Sequence, residues 1–158
     1  MPLDQLTMVT FDASSEAPAL RRLWEELGGR APVVARTSHE FIAALRDVNP
    51  SEGVVIMTHG GQHALQFTDE NGHRLSYERV PELNCRVVYG FTCNQRAESP
   101  LRGPVDALLC TGTAYNADLV SLMFSIASAR DPFDVREVLA ARPEIPDTWA
   151  VHPGAASS

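Results

Sequence analysis

Apolar positions recur along this chain with two alternating periods. Residues 6–11 (Leu-Thr-Met-Val-Thr-Phe) form a short β-branched run that reads as a strand, and 33–35 (Val-Val-Ala) read as another. Between them Leu20, Leu23, Trp24 and Leu27 fall at helical spacing. This predicts a helix over about 15–27, opened by the capping residues 12–16 and stopped at Gly28-Gly29. A second helix is expected from Ser38 as its cap, with Phe41, Ile42 and Leu45 on one face and Asn49-Pro50 as its end. The continuous apolar run 53–57 (Gly-Val-Val-Ile-Met) suits a strand buried on both faces.

Beyond that run the period shortens. Segments 64–68 and 74–76 flank Asn71-Gly72, a pair that favours a tight hairpin turn, so a β-hairpin excursion off the main sheet is expected. A helical stretch near 77–83, core strands at 85–91 and 105–110, helices at about 116–129 and 132–141, and a last strand at 148–151 complete the reading. Alternating β and α elements with short connections imply a three-layer α/β/α sandwich around a mostly parallel sheet. Residues 1–153 are expected to form a single domain, with 154–158 as a disordered polar tail.

Composition removes several chemistries. All 13 basic residues are arginine, so lysine-dependent phosphate binding, Schiff-base formation and Ser-Lys catalysis are excluded. A net charge of −7 without a basic tract argues against nucleic-acid partners. Apolar runs fall far short of the roughly 20 residues a membrane helix needs, and the amino-terminal residues lack the basic region of a signal peptide, so no membrane association or export is expected. Cys85, Cys93 and Cys110 are odd in number and not spaced for metal, which points to a reducing, cytoplasmic compartment with no metal or other cofactor.

In an open parallel sheet ligands bind at the carboxyl ends of the strands. The residues standing there are Asp12, Thr58-His59-Gly60-Gly61, Thr92-Cys93-Asn94-Gln95 and Thr111-Gly112-Thr113. Neighbouring strands lie about 4.8 Å apart, so adjacent strands ending in His59 and Cys93 would bring an imidazole and a thiol into one crevice. There the imidazole takes the thiol proton during nucleophilic attack. Gly60 lets substrate approach closely, and its N–H with that of Cys93 suits an acyl-transfer oxyanion.

These residues resemble the caspase-like (clan CD) cysteine peptidases, whose shared pattern is an apolar run ending in His-Gly and a later one ending in a small residue plus Cys. Here the halves are Val54-Val55-Ile56-Met57-Thr58-His59-Gly60 and Val87-Val88-Tyr89-Gly90-Phe91-Thr92-Cys93. The bacterial CHAT branch is the most similar, through the hairpin from Leu65 to Ser76, the strand and loop from Gly103 to Asp118, and the terminal Trp149-Ala150. Thr92 and Asn94-Gln95 depart from it, standing where a small residue and a Gly-rich continuation are usual.

The resemblance implies a caspase-like fold and regulated cleavage of a partner protein in bacterial defence or death pathways, under a separate regulatory or sensor protein. It also suggests Asp12 and Asp118 as acidic residues for a basic P1 side chain, although helix capping equally explains Asp12. Two other classes stay open: a catalytically inactive caspase-like binding or scaffold module, and a serine α/β-hydrolase, against which the chain lacks a Gly-x-Ser-x-Gly elbow. Cys85, Cys110, Trp24 and Trp149 read as core. His63, four residues after His59, is a poor metal partner because Gly60-Gly61 breaks the helix such spacing needs. His39, His73 and His152 read as surface residues.

Overall fold

The computed structural model describes residues 2–11, 17–61, 64–66, 74–95, 99–102 and 105–154. Six strands form the main sheet: β1 (Leu6–Phe11), β2 (Val33–Ala35), β3 (Gly53–Met57), β7 (Val88–Phe91), β8 (Ala107–Cys110) and β9 (Trp149–His152). Their order is β2-β1-β3-β7-β8-β9, with every pairing parallel except the antiparallel β8–β9 edge. A second sheet of three short antiparallel strands, β4 (His59–Gly60), β5 (Ala64–Gln66) and β6 (Leu75–Ser76), is the excursion between β3 and β7. Among the described residues the α-helices are α1 (Ala17–Glu26), α2 (Ser38–Arg46), α3 (Asn116–Ser128) and α4 (Val135–Ala140).

Alternation within the buried strands divides the core in two. Val55, Met57, Tyr89, Phe91, Leu108 and Cys110 point to one face and pack with Leu20, Trp24, Leu122, Ile126 and Val138 from α1, α3 and α4. Val54, Ile56, Val88, Ala107 and Leu109 point to the other, against Phe41 and Leu45 of α2, Leu65, Leu75 and Leu101. A strand covered on both sides needs an unbroken apolar run, and β3 has one. The result is the three-layer arrangement expected.

Helix ends follow local chemistry. Gly28 takes φ 104° just past α1, while its N–H bonds to Glu25 and the Gly29 N–H to Trp24, closing a Schellman motif that L-residues enter at a cost. The cap of α2 is Thr37, whose hydroxyl accepts from the Glu40 N–H; Ser38 is the first helical residue. This corrects the assignment of Ser38 as cap. The stretch near 77–83 is only a 3₁₀ turn, Tyr77–Arg79, and residues 85–87 precede β7 instead of belonging to it. The hairpin tip with Asn71-Gly72 lies outside the described residues, as do Asp12, His63, His73 and 155–158. Gly154 is buried, and its N–H donates to Asp106.

Cys85 and Cys110 are free and buried, as a core role requires, and Trp24 and Trp149 are buried as well. His39 is exposed on α2, whereas His152 is half-buried on β9. Burial pushes the Cys85 thiol up to about 11 and also raises Cys110, Tyr77 and Tyr89. These groups stay neutral in the fold at a pH where they ionise once unfolded. The Cys85 contribution is therefore fully present below its ordinary value of 9.0 and is lost as pH rises towards about 11. The urea midpoint is expected to fall between pH 8 and about pH 10.5, and to fall less in Cys85→Ala; a flat midpoint over that interval contradicts this.

Candidate active site

The strand order reverses between β1 and β3, and in an open parallel sheet of this kind ligands bind at the carboxyl ends of the strands. There β3 and β7 run side by side in a register that pairs Val54 with Val88 and Met57 with Phe91, a constant offset of 34 residues. The same offset separates Thr58 from Thr92 and His59 from Cys93. The pairing continues past the last ladder residues: the Thr58 N–H donates to the Phe91 carbonyl at 3.3 Å, and the Thr58 and Thr92 hydroxyls lie 3.5 Å apart. His59 and Cys93 are thus the next residues on two strand ends that stay paired as far as Thr58 and Thr92. His59 is exposed and Cys93 half-buried.

Beyond this level each chain turns. His59 and Gly60 change partners and pair antiparallel with Gln66 and Leu65, so the His-Gly pair itself belongs to the small sheet, which the periodicity did not show. Gly60 presses on the Cys93 backbone: a Cβ there would lie 2.0 Å from the Cys93 carbonyl oxygen. On the other side Asn94 takes φ 57°, the left-handed region that asparagine tolerates better than most residues. The turn after Cys93 is thus made by an asparagine. It folds the chain over the end of β8, where the Asn94 N–H meets the Gly112 carbonyl and the Gln95 N–H the Cys110 carbonyl, at 2.9 and 2.8 Å.

The cysteine sulfur has a defined place. The Ala114 N–H, in the loop between β8 and α3, donates to Cys93 Sγ at 3.2 Å. Tyr115, the next residue, is exposed at the start of α3. Asp118 stands in the first turn of α3, half-buried, and its Oδ2 accepts from the Trp149 indole N–H at 3.2 Å. The second acidic candidate, Asp12, is outside the described residues.

Three contributors escaped the sequence reading: the Ala114 N–H, Gln95 and Tyr77. A backbone donor has no sequence signal. Gln95 stood out by its place after a core strand, with no sign that it would be fully buried.

No protein-family model matches the chain, and no curated protein matches it in sequence. Solved structures do match in shape. The complex of the pro- and mature domains of RgpB from Porphyromonas gingivalis is similar over 99% of this chain and 48% of that one, with a TM-score of 0.56 and 11% identity. The Arg-specific cysteine proteinase gingipain R (RgpB) is similar over 97% of this chain and 47% of that one, with a TM-score of 0.57 and 11% identity. The fold is caspase-like. The chain spans about half the length of these solved structures. Among the described residues no helix is long and apolar enough to cross a membrane, and no cluster of three or more His, Cys, Asp or Glu is arranged to hold a metal ion.

Proposed function

We propose that this protein is a cysteine endopeptidase working through a His59–Cys93 dyad. The observation that supports the reading is the 34-residue offset of β3 and β7, which holds as far as Thr58 and Thr92 and makes His59 and Cys93 the next residues on two adjacent strand ends. The Cys93 thiol gives its proton to His59 as the sulfur attacks the scissile carbonyl, and His59 returns it to the leaving amine. Water then hydrolyses the thioester, with His59 again as base. The backbone N–H groups of Gly60 and Cys93 serve as the oxyanion donors.

Specificity is assigned to two acidic side chains. Asp118 and Asp12 favour a basic P1 side chain, and the fold's similarity to an Arg-specific proteinase supports arginine as the first residue to test. The substrate is a partner protein in a bacterial defence or death pathway, cleaved in a cytoplasmic, reducing environment consistent with free thiols, under control of a separate sensor protein.

The test is a panel of peptidyl acyloxymethyl ketones differing at P1. Labelling of Cys93 is expected, located by mass spectrometry, fastest with arginine and absent from buried Cys85 and Cys110. An unlabelled Cys93 in protein that retains its fold would favour the inactive scaffold module.

A further inference from the structure

His59 and Cys93 stand on separate strand ends, and each strand has turned away from the sheet before its side chain is placed. Register alone does not hold the two residues together beyond Thr58 and Thr92. Two polar connections cross this gap. On the exposed side Asn94 Nδ2 donates to the Gly60 carbonyl at 3.3 Å. Beneath it runs a second connection, from Gly61 through Tyr77 and Gln95 to Cys93.

The Tyr77 hydroxyl donates to the Gly61 carbonyl at 2.6 Å and accepts from Gln95 Nε2 at 2.7 Å. The same nitrogen spends its other proton on the Cys93 carbonyl at 3.1 Å. Gln95 Oε1 accepts from the Ser99 hydroxyl at 2.6 Å, and that hydroxyl oxygen accepts from the Leu101 N–H. Both amide donors and the amide oxygen are therefore used. The reversed amide would set its oxygen against the Cys93 carbonyl oxygen, so one orientation is chosen. Gln95 and Ser99 are buried and Tyr77 half-buried; a network with every member satisfied is rigid, whereas losing one member leaves a buried partner unpaired at about 1–3 kcal/mol.

We infer that Tyr77 and Gln95 are positioning residues that clamp the His59-Gly60-Gly61 segment to the Cys93 turn and so set the geometry of the dyad. Neither side chain touches a reacting atom; each acts through the backbone two residues from His59 or at Cys93 itself. This rests on the dyad reading above, in that a clamp between the two segments matters only if they cooperate.

Iodoacetamide alkylation of Cys93 tests the clamp without a peptide substrate. In the wild type the rate near pH 7 is expected to depend on His59 and to drop about tenfold in His59→Ala. Tyr77→Phe and Gln95→Met are each expected to reach the His59→Ala rate, and neither to lower it further when combined with His59→Ala. Val80→Ala, which destabilises the same turn without touching the network, controls for general loosening and is expected to keep the wild-type rate at a similar loss in Tm. Peptide turnover in Tyr77→Phe is expected to fall about 10²-fold in kcat with KM changed less than threefold, the size of effect that misplacing a catalytic group by about 1 Å produces.

Wild-type rates in both clamp variants alongside a slow His59→Ala would overturn the clamp alone. Equal rates in wild type and His59→Ala would remove the dyad and the clamp with it. His59-dependent alkylation that the clamp variants lose, with no peptide ever cleaved, keeps the clamp and discards the peptidase.

Discussion

Replacing Gly60 by alanine is expected to silence the site almost as completely as replacing Cys93 by alanine. The added Cβ would lie 2.0 Å from the Cys93 carbonyl oxygen, 2.9 Å from its carbon and 2.4 Å from Thr92 Oγ1. Two of those atoms are backbone, so no rotamer relieves the overlap, and the His-Gly segment must move away from the Cys93 turn. Left-handed φ among the described glycines is found at Gly28, not Gly60, so the cost at Gly60 is space and not conformation. Displacement by about 1 Å is enough for roughly a 10²-fold loss in kcat/KM, whereas overpacking costs only about 1–3 kcal/mol of stability. Gly60→Ala is therefore expected to remain folded while losing at least about 10²-fold in peptide turnover, against total loss in Cys93→Ala. Turnover within threefold of wild type would show that Gly60 does not set the approach of the two segments.

Trp149→Ala is expected to produce the largest loss of stability. The indole is buried on β9, meets the Phe91 ring edge-on at 6.2 Å and 89°, and gives its N–H to Asp118. Removing it forfeits an aromatic pair, opens a cavity and leaves a half-buried carboxylate without its donor, about 3–5 kcal/mol in all. Domains of this size are stable by only about 5–15 kcal/mol, so a fall in Tm of about 10 °C or more is expected in a thermal scan. Phe91 lies two residues before Cys93, and the damage reaches the site from beneath. Trp149→Phe separates the contributions: it keeps a ring against Phe91 while freeing Asp118, and is expected to retain most of the stability. If both variants lose the same amount, the hydrogen bond outweighs the packing.

How far the site was legible depends on which interactions are local. His59 and Cys93 could be singled out because each follows a run apolar enough to be a core strand, and strand ends in parallel sheets bind ligands. Their equal spacing from Met57 and Phe91 was present in the numbering but had no meaning until β3 and β7 were known to pair. Gln95 was unreadable for a related reason. A glutamine after a strand is ordinarily solvated, and Tyr77, brought in by the small sheet, joins Ser99 and the Cys93 carbonyl in letting this one be buried with its amide satisfied. The Ser38 error was smaller and of the same kind, since threonine and serine are both good caps and the choice at 37–38 depends on where the first helical turn closes.

The sequence by itself determined the alternation of strands and helices, the burial of β3 on both faces, the stop at Gly28 and the two residues, His59 and Cys93, that follow the central apolar runs. Each follows from period, composition or backbone freedom within a few residues. Tertiary structure alone decided that β3 and β7 pair with His59 and Cys93 next in line past Thr58 and Thr92, that Gly60 lies against the Cys93 backbone, that Ala114 supplies a donor to the sulfur, and that Asp118 holds Trp149. Those are meetings between segments tens of residues apart, governed by strand order and register, and no local pattern in the chain encodes them.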